Sequence, residues 1–216
     1  MQKVIYQLTR LLALLYFKLY HRLSVYGRES VPSDRAVILA SNHASYLDPP
    51  VVGLGFYPRH LRFVSWDRLF KLAPMRYFLL QMGAVPVSQT DKTSSAALLR
   101  MVMSFLEDGD SVYIAPEGHR TYDGNIAPLE GGVAVLSLKT GAPVIPTWVG
   151  GAYRAMSRHM SFPRPYKITL TFGPAIDPFA LPQTMSEKEK RQYILNKINE
   201  FYYMMDNKDR EKHPRK

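Results

Sequence analysis

The chain has 216 residues, a length that one domain accommodates and that buries a sizeable core without metals or disulfides. It contains no cysteine, which excludes disulfides and thiolate chemistry, and its 46% hydrophobic and 21% charged composition excludes a disordered or collagen-like chain. With 28 Lys and Arg against 18 Asp and Glu the formal charge is +10, so the surface attracts polyanions: nucleic acid, anionic lipid headgroups or a phosphorylated ligand.

From Met1 to Arg28 the chain carries five basic residues and no acid. At about 100° per residue, Lys3, Gln7, Arg10, Lys18 and His21 share one polar arc of a helix whose other positions are mainly Leu and Tyr. The uninterrupted apolar run, Leu11 to Phe17, falls far short of the roughly 20 residues that span a bilayer. Leu23-Ser24-Val25-Tyr26 is a poor signal-peptide cleavage site. We expect an interfacial helix over residues 1–26, apolar side in lipid and basic side toward the headgroups. The alternative is a helix packed on the domain core with its basic stripe merely solvated. Elsewhere no charge-free stretch exceeds 14 residues, and the two of that length contain Gly and Pro, so neither is a membrane span.

The remainder alternates short apolar runs with helical patterns. Strands are expected at Ala36 to Ala40, Arg62 to Ser65, Ala84 to Val87, Ser111 to Ala115, Val144 to Val149 and Lys167 to Phe172. Helices are expected from Pro50 to Gly55, Pro74 to Met82, Ser94 to Asp108 with Ala97, Leu98, Met101 and Phe105 inward, Gly131 to Lys139 with Gly141 as the stop, and Ser186 to Met204. This order predicts an α/β fold with a mixed, mostly parallel sheet covered by helices. The catalytic domain is expected over 27–206, followed by a polar, disordered tail at 207–216.

In such sheets, sites collect beyond the strand ends, and two loops there carry chemistry. His43 and Asp48 stand five residues apart in a loop running to Pro49-Pro50, a spacing that permits a folded-back contact. A carboxylate bonded to one imidazole nitrogen fixes the tautomer and makes the other nitrogen a better base, as a hydroxyl-activating dyad requires. Asn42 is placed to hold the loop by side-chain bonds to backbone. Ser45 lacks the Gly-x-Ser-x-Gly elbow of a serine hydrolase. In the second loop, Pro116-Glu117-Gly118-His119-Arg120, Gly118 permits close backbone approach to a ligand and Arg120 offers a planar fork for phosphate oxygens. Glu117 is placed to orient Arg120 or to bond an acceptor hydroxyl. Read alone, each loop favours a structural role over a functional one.

Together the loops carry a resemblance. Asn42-His43 with Asp48 resembles the N-H-x-x-x-x-D motif of the glycerolipid acyltransferase family, which includes the 1-acylglycerol-3-phosphate acyltransferases. Trp66 to Phe70 through Gly83 to Val87 is similar to its second block, residues 116–120 to its P-E-G-T-R block, and Val144-Ile145-Pro146 to its fourth, all in the family's order. The resemblance implies a glycerol-3-phosphate acyltransferase-like fold and acyl transfer from acyl-CoA or acyl carrier protein to the hydroxyl of a lysolipid. His43 would be the base, Asp48 its orienting partner, and Glu117, Gly118 and Arg120 the headgroup site, with Asn42 and Gln89 also assigned to the substrate site. Val144 to Pro146 would shape a channel or form a core strand. The implied chemistry needs no metal and no cofactor beyond the thioester co-substrate.

Three positions depart from the family pattern: Gln89 stands where many members have Arg, Ala127 to Gly131 lacks the expected Lys, and His119 replaces Thr. The pocket is thus expected to be less cationic, leaving a lysolipid with another headgroup open as acceptor. Arg154, Arg158, Arg164 and Lys167, interleaved with Met156, Met160, Phe162 and Tyr166, suit a headgroup or thioester-carrier surface. No nucleic-acid module is legible, so the partners expected are the membrane bilayer, a lysolipid and the donor, on the cytoplasmic face. The reading from another class is a non-catalytic basic protein that binds membrane or nucleic acid.

Overall fold

The computed structural model describes residues 2–81, 83–87 and 94–212. Gln89, assigned above to the substrate site, lies outside the described residues. In chain order, helix α1 (Gln2–Leu19) leads through strand β1 (Ser24–Tyr26) to β2 (Ile38–Ser41), α2 (Asp48–Phe56) and β3 (Leu61–Trp66). There follow α3 (Ala73–Gln81), β4 (Ala84–Val87), α4 (Ser94–Glu107), β5 (Ser111–Ile114) and α5 (Gly132–Thr140). The chain ends with β6 (Val144–Gly150), the short α6 (Ala152–Ala155), β7 (Thr169–Phe172) and α7 (Glu187–Lys212).

The strands form one seven-stranded sheet in the order β1-β7-β6-β2-β5-β3-β4. Among the described strands only β6 and β7 pair antiparallel; the other neighbours are parallel. The fold is therefore the α/β, mostly parallel sheet that the alternating pattern predicts. Strand β2 lies between β5 and β6, with Leu39 opposite Tyr113 on one side and Ile145 on the other. Every residue of β2 and β6 is buried, because helices cover both faces. Alternation divides these strands between two cores. Leu39, Tyr113, Ile145 and Leu170 pack with Phe17, Val51 and Val52 beneath α1 and α2. Ile38, Val112, Val144 and Trp148 pack with Val102, Val133, Ile194 and Tyr202 beneath α4, α5 and α7. Val144 and Ile145 are thus core strand, the second of the two expectations for that block.

Several expectations change. The N-terminal helix stops at Leu19, and residues 24–26 become an edge strand parallel to β7 rather than part of an interfacial segment. His21 is not on a polar arc: it is buried, its Nδ1 donating to the Tyr166 carbonyl and its Nε2 accepting from the Tyr16 hydroxyl. Burial lowers its pKa. Phe17 is also buried, while Leu8, Leu11, Leu12, Leu15 and Leu19 are exposed. The helix is therefore anchored to the domain along one side and apolar toward solvent on another. In α4 the inward seam runs through Val102 and Leu106, with Leu98, Leu99, Met103 and Phe105 beside them, and Ala97 is exposed. Helix α7 extends to Lys212, so residues 207–212 are helical rather than disordered; Trp148 Nε1 donates to Asp209 and Arg210 pairs with Asp206. Gly141, at φ +74°, ends α5 as expected.

Candidate active site

The parallel strands β2 and β5 are neighbours, so their carboxyl ends deliver the 42–47 loop and the 115–127 loop to the same edge of the sheet. That adjacency brings His43 and Glu117 together. The first loop turns into α2, whose opening residues Asp48-Pro49-Pro50 suit a helix start: proline needs no N–H there, and the helix N-terminus favours the Asp48 charge. Asp48 is completely buried. Its Oδ2 accepts from the Ala44 and Ser45 N–H groups, both at 2.7 Å, and from His43 Nδ1 at 3.1 Å. The bond to Nδ1 leaves Nε2 as the nitrogen available to a substrate, and the His43 side chain keeps 22% of its area exposed. The arrangement can take a proton from a hydroxyl at one end of the imidazole while an anion faces the other.

The loop is braced from several directions. Asn42 is buried and its amide clamps β6, Oδ1 accepting from the Val149 N–H at 2.7 Å and Nδ2 donating to the Val149 carbonyl at 3.3 Å. Its amide is thereby committed to the sheet, at the wall of a cavity that His43 and Glu117 also line. The Ser45 hydroxyl donates to the Met156 carbonyl at 2.6 Å and accepts from the Leu47 N–H, which makes it a loop brace rather than a nucleophile.

Glu117, assigned by the resemblance to the headgroup site, lines a cavity with His43 and Thr121 and is tied to backbone. It is buried, with Oε1 accepting from the His43 N–H at 2.7 Å and Oε2 from the Ala127 N–H at 2.9 Å. Burial raises its pKa, while those two backbone donors oppose the rise. Both oxygens are committed to locking the two loops together, a bond that the Thr121 N–H to His43 carbonyl contact reinforces at 2.8 Å. Beneath them the hydroxyls of Tyr113 and Tyr202 are held neutral, their pKa values pushed well up by burial, with further increments from the charges of Asp48 and Glu117.

Gly118 adopts φ +71°, which a side chain rarely tolerates, and a Cβ built there would stand 2.4 Å from Glu130 Oε1. Arg120 points its guanidinium over the Tyr46 ring, Cζ lying 3.5 Å from the centroid, and its Nη1 is buried with no hydrogen-bond acceptor among the described residues. The Arg120 carbonyl accepts from Arg158 Nη1 at 3.2 Å, and the Tyr122 carbonyl accepts from the Tyr153 hydroxyl and His159 Nε2. Residues 153–159 thus brace the Arg120 loop from outside. Their part, and that of Tyr46, was not legible in the sequence; the mixed basic and aromatic composition of 153–167 was the only signal.

The sheet and the two loops define an α/β domain whose paired imidazole and carboxylate stand beyond the carboxyl ends of parallel strands. Comparison with known proteins narrows the class: the sequence model of the acyltransferase family matches residues 22–150. The chain belongs to the acyltransferase family. Among similar curated proteins is a chloroplastic 1-acyl-sn-glycerol-3-phosphate acyltransferase of Brassica napus, 31% identical over 139 residues, or 63% of this chain and 40% of that protein. The 1-acyl-sn-glycerol-3-phosphate acyltransferase of Bacillus subtilis is 24% identical over 184 residues, covering 85% of this chain and 88% of that one. The chain spans about 40% of the length of the chloroplastic relatives it matches. The crystal structure of the 1-acyl-sn-glycerophosphate (LPA) acyltransferase of Thermotoga maritima superimposes with a TM-score of 0.77 at 25% identity, covering 100% of this chain and 82% of that one.

Proposed function

We propose that the chain transfers a fatty acyl group from a thioester, acyl-CoA or acyl carrier protein, to the free hydroxyl of 1-acylglycerol-3-phosphate, yielding phosphatidic acid. The observation that carries the reading is the contact between His43 and the buried Asp48 at the strand ends. His43 Nε2 takes the hydroxyl proton as the oxygen attacks the thioester carbonyl. Asp48 faces the imidazolium that forms. The tetrahedral intermediate then expels the thiolate, which recovers the proton from His43, so the products are an ester and a free thiol. Arg120 receives the headgroup, while Asn42 and Glu117 hold the loops in register. The names of the relatives support the acceptor. The test is transfer of labelled acyl-CoA to a panel of lysolipids: His43→Ala should abolish turnover while leaving vesicle binding intact. Retained turnover would refute the dyad.

A second acceptor class has a specific observation in its favour: the Glu130 carboxylate sits against Gly118, so the headgroup loop carries a negative charge of its own. Preference in the same panel for a lysolipid whose phosphate carries an amine or other substituent would select that reading.

We also place the protein on an anionic bilayer, at the cytoplasmic face. Among the described residues no helix is long and apolar enough to cross a membrane. Support for an interfacial position comes from the exposed leucines of α1 and from Phe162, 80% exposed, flanked by Arg158, Arg164 and Lys167. Removing residues 1–22 would also remove buried Phe17 and His21, so the informative variant is Leu12→Ser with Leu15→Ser and Leu19→Ser. It should lose sedimentation with anionic vesicles and keep its fold; undiminished sedimentation would refute the placement.

A further inference from the structure

Resting on the reading of Arg120 as the headgroup cation, we propose that Tyr46 is the positioning residue that presents Arg120 to the acceptor. A cation in a loop is usually oriented by a carboxylate, and here no carboxylate among the described residues forms an ion pair with Arg120. Its guanidinium instead lies 3.5 Å from the centroid of the Tyr46 ring. The difference matters chemically. A carboxylate would neutralise the charge and consume the planar N–H donors that an anionic headgroup needs, whereas an aromatic face holds the cation from one side and leaves its edge free. Nη1, buried without an acceptor among the described residues, marks a donor that those residues do not satisfy.

The ring is a rigid platform because its backbone is tied down by the same bonds that hold the dyad. Asp48 Oδ2 accepts from Ala44 and Ser45 immediately before Tyr46, and the Leu47 N–H immediately after it bonds the Ser45 hydroxyl, which in turn reaches Met156. On the other side, Arg120 is held through its carbonyl by Arg158 and through the next residue's N–H by His43. Tyr46 therefore couples the position of the headgroup cation to the loop that carries the base. Nearly half of the Tyr46 surface remains exposed, so its replacement leaves the core intact.

The experiment measures initial rates with acyl-CoA and 1-acylglycerol-3-phosphate in mixed micelles for Tyr46→Phe, Tyr46→Leu, Arg120→Ala and the Leu/Ala double variant. Tyr46→Leu should raise the acceptor KM roughly 3- to 30-fold, the range for a partly desolvated cation–π contact, with kcat and donor KM within about threefold. Tyr46→Phe, which keeps the ring, should restore the wild-type acceptor KM. In the Arg120→Ala background the Leu substitution should add nothing. An unchanged acceptor KM in Tyr46→Leu, a Phe variant as impaired as Leu, or additive effects in the double variant would each overturn the proposal while leaving the headgroup role of Arg120 standing. An unchanged acceptor KM in Arg120→Ala would instead overturn that underlying role. Circular dichroism establishes folding, and Tyr46→Gln replaces the Leu variant should the latter aggregate.

Discussion

Asp48→Asn tests whether the buried carboxylate acts through its charge or through its shape. Its Oδ2 receives three N–H groups at 2.7, 2.7 and 3.1 Å, and an amide oxygen in the same place could accept all three. The geometry at Oδ2 is retained and the charge is removed, while the amide NH2 takes the place of Oδ1, which is buried without a partner among the described residues. Charge-assisted bonds are about 1 kcal/mol stronger than neutral ones and an unpaired buried NH2 costs about 1–3 kcal/mol, offset in part by relief of a buried ion, so the folded fraction is measured by circular dichroism beside the rate. The rate is another matter. When His43 takes the substrate proton, an imidazolium forms with its charge centre roughly 4 Å from the carboxylate, and at an effective dielectric constant near 20 that attraction is about 4 kcal/mol. At about 1.4 kcal/mol per tenfold, kcat should fall by roughly 10³. The acceptor KM should move little, because the charge develops only on the way to the transition state. Thiol release from acyl-CoA can be followed with a thiol-reactive chromophore, and since the chain has no cysteine the signal comes from the product alone. A folded Asp48→Asn protein with kcat within tenfold of wild type would refute the reasoning.

Further predictions concern the braces around the dyad. Burial raises the Glu117 pKa, so the folded state holds that proton more tightly than the unfolded one. Its contribution is fully present below the unfolded pKa and is lost as pH rises through the raised folded value. The Tm of wild type should therefore fall relative to Glu117→Gln across that interval; a pH-independent difference would be the contrary result. Asn42→Ala removes both bonds to Val149 and leaves a buried N–H and carbonyl unpaired, which should cost about 2–4 kcal/mol in denaturant unfolding. A loss below 1 kcal/mol would show that the clamp is dispensable.

Much of this molecule is legible in its sequence because the information is local. Apolar runs of four to seven residues mark strands that are buried on both faces, and the five-residue spacing of His43 and Asp48 is short enough for one loop to close on itself. Val25 gave no such signal: β1 is three residues long and exists because β7 offers a free edge. Likewise, Leu11, Leu12 and Phe17 look alike in a helical pattern, but only contact with α2 and the sheet decides that Phe17 is core and the leucines face outward.

What the sequence by itself determined is the α/β class, the excess positive charge and the residue types that chemistry requires: an imidazole, a carboxylate and an arginine in two loops. The tertiary structure decided what each polar group does. Glu117 and Asn42 had to satisfy buried backbone groups of distant residues, which made both of them braces of the loops. Arg120 was left with an aromatic partner instead of an acid. Periodicity tells which side of an element is apolar, but a buried hydrogen bond is chosen by whichever donor or acceptor the fold brings within about 3 Å, and that neighbour is set by strand order rather than by anything adjacent in the chain.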